Sequence, residues 1–130
     1  MPDITKKSLT EIISLIKKKE VKSEEITQSF IKNIDSDKKL NSFITNCSEQ
    51  ALEKAKNFDK NPNLQTLLPG VPLAVKDLFC TEGVKTTAGS KMLENFIPNY
   101  ESTITKNLWG EGAFLLGKLN CDEYAMGSSN

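Results

Sequence analysis

The chain contains no histidine and no arginine: all 17 of its basic residues are lysines, set against 17 acidic ones, for a formal net charge of zero. Without histidine, Ser-His-Asp and Cys-His catalysis within these 130 residues is excluded, and so is most zinc chemistry. Without arginine, the chain lacks the usual bidentate reader of guanine and a frequent phosphate fork. A neutral chain of this kind is a poor direct binder of nucleic acid. The run Lys17-Lys18-Lys19 is read instead as the solvated end of a helix, where cations suit the dipole. The cysteines Cys47, Cys80 and Cys121 are odd in number, widely spaced and form no C-x-x-C, so they are read as reduced packing residues. No window holds the roughly 18 apolar residues of a membrane span. The opening MPDITKKSLTE lacks the apolar core of a signal peptide, so the expected compartment is the cytoplasm.

What remains is ordinary globular composition, 38% hydrophobic and 26% charged, and a change of character near residue 70. Residues 8 to 60 read as helical. Ser8 stands three before Glu11, a capping box, and Leu9, Ile12, Ile13 and Ile16 follow at helical spacing. A second helix starts near Ser23, with Glu24 and Glu25 in its first turn and Ile26, Phe30 and Ile34 on one stripe. LNSFIT reads as a short extended link, and Ser48 as the cap of a third helix carrying Ala51, Leu52, Ala55 and Phe58. NPNLQTLLPG is a connector. VPLAVKDLF then forms a continuous apolar run of strand length, of the kind that suits strands covered on both faces. TEGVKTTAGS reads as a loop or irregular hairpin, Ser102 to Trp109 as a helix, and AFLLGKLN as a second apolar strand. CDEYAMGSSN opens as a helical turn and ends in small residues. Strand, crossover helix, strand predicts a parallel pair. The expected class is α/β: a helical preface over 1–62 followed by the opening βαβ unit of a mixed sheet over 70–130, one domain whose core is incomplete as the chain stands.

The residue that stands out is Lys76, a lysine inside an apolar run. A lysine desolvated in a strand favours its neutral amine, a competent general base near pH 7. A lysine at a strand end can equally reach water along its own stem. Asp77 either pairs with a lysine or caps a loop. GSSN, Gly127 to Asn130, and TTAGS, residues 86 to 90, offer hydroxyls beside glycine, as nucleophiles, as donors to a substrate, or as plain turns.

Taken together, GVPLAVKDLF, GVKTTAGSKML, PNYESTI and GAFLLGKLNCDEYAMGSS resemble, in order and spacing, the start of the amidase signature family. Within it, the chain resembles the glutaminase subunits of tRNA-dependent amidotransferases, from the first helix to the last residue. The resemblance implies a Ser-cis-Ser-Lys triad with Lys76 as its lysine, pointing from a buried strand into an active site. There it would work with a serine in a cis peptide to deprotonate a serine nucleophile and return the proton to the leaving nitrogen. Both family serines match positions beyond Asn130, so these 130 residues alone are expected to be inactive. Ser128 and Ser129 match the segment just upstream of them, a wall of the substrate pocket, which makes Met126, Gly127 and Ser128 candidate contacts to the bound amide.

For the branch as a whole, the resemblance implies glutamine hydrolysis through an acyl-enzyme, with the ammonia passed on. The implied partners are subunits B and C of the amidotransferase. The first of these would hold the Glu-tRNA(Gln) or Asp-tRNA(Asn) and use ATP and magnesium to activate its carboxylate. No cofactor or metal is implied for the glutaminase itself, and no membrane. The rival readings are another amidase-signature hydrolase acting on small amides, and a non-catalytic helical interaction module.

Overall fold

In the computed structural model, which describes residues 3–36 and 38–128, three of the four helices precede the sheet core, as their stripes predict. Helix α1 (Leu9–Lys17) opens on the expected box: Ser8 Oγ accepts from Glu11 N at 3.3 Å while the Glu11 carboxylate accepts from Ser8 N at 2.8 Å. It buries Ile12 and Ile16, and Lys17, Lys18 and Lys19 emerge into solvent at its end. Helix α2 (Ser23–Ser36) is capped from a distance. The Asp59 carboxylate, on the following helix α3 (Ser48–Lys60), accepts from Ser23 N and Glu24 N, both at 2.9 Å. A carboxylate on these orphan donors also meets the positive end of the helix dipole.

Two expectations for this half need correcting. Ser48 does not cap α3: Cys47 occupies the cap position without a side-chain bond, and the Asn46 side chain accepts from Ser48 N at 2.8 Å. LNSFIT is not merely a link. Phe43–Asn46 is a strand, β1, paired antiparallel with a strand some 70 residues later. Four residues with polar flanks carry too little alternation to announce a long-range pairing.

The sheet has three strands in the order β1-β3-β2, with β2 at Pro72–Lys76 and β3 at Phe114–Leu119. β2 and β3 are parallel, joined through α4 (Thr103–Gly110), as the crossover rule requires. Ser102, expected inside that helix, is its N-cap and accepts from Thr105 N at 3.2 Å. β3 is the central strand and is buried along almost its whole length, while β2 lies at an edge and is only partly covered. Phe114 and Leu116 pack on Ala51 and Ala55 of α3; Leu115 packs with Cys47 and Val75, beside Leu108 and Trp109. Two glycines make close approaches possible. A Cβ on Gly70, whose φ is +66°, would sit 2.5 Å from the Phe58 ring, and one on Gly117 would sit 2.6 Å from the Phe43 ring. No helix among the described residues is long and apolar enough to cross a membrane.

Candidate active site

In an open α/β sheet, ligands gather beyond the carboxyl ends of the parallel strands. Here those ends bring together Lys76, the last residue of β2, and the segment that follows Leu119, its partner in β3. Lys76 is exposed, so of the two placements left open by the apolar run it has the strand-end one, and the buried strand that the resemblance implied is only partly covered. Its backbone opens a tight turn, closed by Phe79 N donating to Lys76 O at 3.1 Å.

The next residue, Asp77, is fully buried and does both things considered for it. One carboxylate oxygen accepts from Thr87 N at 2.9 Å and from Thr87 Oγ1 at 2.5 Å. The other faces the ammonium of Lys118 at 3.6 Å. The TTAGS segment is therefore neither a surface turn nor an exposed row of donors. Thr86, Thr87 and Ser90 are buried, and the strand end grips the loop a second time where Ala88 N donates to Asp77 O at 2.9 Å.

Lys118 is the residue that sequence reasoning missed. It lies in β3, is wholly buried, and donates to Phe79 O at 2.6 Å, Thr86 Oγ1 at 2.9 Å and Thr81 Oγ1 at 3.1 Å. Its three protons are thus all used, which is what makes a buried ammonium tolerable. Burial pushes its pKa below the ordinary lysine value, and the Asp77 carboxylate pulls it partly back. The signal was present: AFLLGKLN sets a lysine in an apolar run just as VPLAVKDLF does.

The segment after β3 folds against the same loop. Tyr124 N donates to Ala88 O at 2.8 Å and Ser90 Oγ donates to Glu123 at 2.6 Å. Met126, Gly127 and Ser128 follow, all exposed, and a Cβ on Gly127 would run into the Asp122 side chain. Ser129 and Asn130 lie outside the described residues. Neither buried cysteine is poised as a nucleophile. Burial raises the Cys47 thiol; burial and then Asp77 raise that of Cys121, against a smaller opposing effect of Lys76. A cleft of about 460 Å³ at the start of α3, lined by Thr45, Ser48 and Lys85 among others, does not include Lys76. Among the described residues no group of three or more His, Cys, Asp or Glu side chains could hold a metal ion.

The amidase family model matches residues 25–130. The chain belongs to the amidase family. Over all 130 residues this amidase chain is 62% identical to the A subunit of Glutamyl-tRNA(Gln) amidotransferase from Pelagibacter ubique (strain HTCC1062), of which it spans 27%. The structure of the corresponding Glutamyl-tRNA(Gln) amidotransferase A subunit from Thermotoga maritima superposes with a TM-score of 0.76 at 28% identity, covering 99% of this chain and 26% of that one. A bacterial aryl acylamidase of the amidase signature family superposes at 0.80 and 30% identity, covering 91% of this chain and 26% of that one. The α/β class and the opening of an amidase sheet are therefore those of the family.

Proposed function

We propose that this chain supplies the lysine base and one wall of the glutamine pocket to the glutaminase component of a tRNA-dependent amidotransferase. The observation that carries the reading is the 62% identity to the A subunit of a Glutamyl-tRNA(Gln) amidotransferase over all 130 residues. The geometry supports it: Lys76 stands exposed at the carboxyl end of a parallel strand, where substrate would approach. In this reading Lys76, through a bridging serine, takes the proton from a serine nucleophile as it attacks the glutamine side-chain amide. It returns that proton to the nitrogen, so that ammonia leaves and an acyl-enzyme remains for water to hydrolyse. Both serines lie in the rest of the protein, beyond this chain. Met126, Gly127 and Ser128 line the pocket. Subunits B and C complete the complex; the former holds the tRNA and uses ATP and magnesium, and the assembly works in the cytoplasm.

The test is Lys76→Ala in the complete protein, assayed for ammonia release from glutamine. Turnover is expected to fall by at least the roughly 10²–10⁴-fold of general acid–base catalysis, with folding unchanged. Near-normal turnover by the folded variant would overturn the reading. Faster turnover of simple aryl amides than of glutamine would favour a general amide hydrolase.

A further inference from the structure

We propose that Lys118 is a positioning residue for Lys76: its ammonium clamps the turn that begins at Lys76 and so fixes where the base points. The turn spans residues 76 to 79, and Lys118 reaches both its interior and its far end. It faces the Asp77 carboxylate at 3.6 Å and donates to Phe79 O at 2.6 Å. The remaining protons of its ammonium go to Thr81 and Thr86, which anchor the loop that follows. Asp77 extends the clamp to Thr87. The backbone of Lys118 is tied to β2, because Val75 and Lys118 are register partners in the parallel pair, one residue from the Lys76–Leu119 pair. One ammonium thus ties the central strand to the backbone on which Lys76 sits, without being placed to touch substrate. Among the described residues Asp77 Oδ1 has no hydrogen bond, and on that side the carboxylate faces the Lys118 ammonium.

This inference rests on the reading of Lys76 as the base, and the experiment separates the two. In the complete protein, Lys118→Met and the neutral pair Asp77→Asn/Lys118→Met are compared with Lys76→Ala. Turnover is expressed per folded molecule, and amide exchange is followed at Phe79 and Thr87. Lys118→Met is expected to lower kcat by about tenfold or more with KM within about twofold, since a small misplacement of a reacting group carries such a penalty. Exchange at both amides should quicken. The double variant keeps no orphaned buried charge, and so folds even where the single variant does not. It still lacks the donor to Phe79 O, so its kcat should stay low and its Phe79 amide should exchange fast. Wild-type kcat and slow exchange in the double variant would overturn the proposal and leave Lys118 only as the counter-charge of Asp77. A loss carried by KM would overturn it as well. If Lys76→Ala keeps its activity, the base reading falls, and the exchange rates alone then decide whether the clamp exists.

Discussion

Lys76 and Lys118 occupy the same kind of sequence, a lone lysine in an apolar run, and meet opposite fates. Lys76 ends an edge strand and is exposed; Lys118 lies within the central strand and is fully buried, with three hydrogen bonds and a carboxylate beside it. Apolar neighbours in sequence do not by themselves desolvate a side chain. The place of the strand in the sheet does. β3 is covered by α3 on one face and by Trp109 and Leu108 on the other, with β1 and β2 along both edges. β2 has β3 on one edge only. Of the two lysines, the one proposed as the base is the less buried, and the buried one binds the turn that begins at it.

The sharpest way to break this comparison is to truncate each lysine and follow urea unfolding of the complete protein. Lys118→Ala leaves Asp77 buried without its counter-charge and should cost about 3–5 kcal/mol. Lys76→Ala, at an exposed site, should stay within about 0.5 kcal/mol. Equal costs would show that the two sites are not different in kind. A smaller effect tests whether close cover of β3 is what buries Lys118. Gly117→Ala pushes a methyl toward the Phe43 ring and the Thr45 carbonyl, and should cost about 1–3 kcal/mol by prying β1 from β3. Smaller again is Asp59→Ala, expected to cost about 1 kcal/mol through the lost cap on α2, with no effect on amide exchange at Thr87.

The last prediction is a slope. The native pKa of Lys118 is depressed, so between that value and 10.5 the unfolded chain holds more protons at this site. Its contribution to stability is therefore fully present above 10.5 and is lost as pH falls through the native value. Lys118→Met should remove that alkaline rise from the stability curve.

Much of this fold was legible in the sequence. The capping box at Ser8, the stripe of α2 and the two apolar runs all lie where local physics puts them, because each depends on residues a few positions apart. What was not legible is what distant pairing creates. β1 became a strand only by meeting β3, and Asp59 became a cap only when α3 packed beside α2. The family resemblance led to Lys76, which the structure leaves exposed at the carboxyl end of β2. Lys118 stayed hidden because its burial follows from β3 being central, and because β3 carries an extra residue against Leu73–Ala74 just before it. Such bulges re-aim the side chains that follow, so alternation along AFLLGKLN does not announce where the lysine goes.

The contrast between the two lysines is tested most directly by labelling the amines of the native chain with a small acylating reagent, residue by residue. Lys76, being exposed, should react at least as fast as Lys17, Lys18 and Lys19. Lys118 should be slower by about a hundredfold or more until urea unfolds the chain, because its reaction requires a core strand to open. Labelling of Lys118 alongside Lys76 in the absence of denaturant would contradict the account.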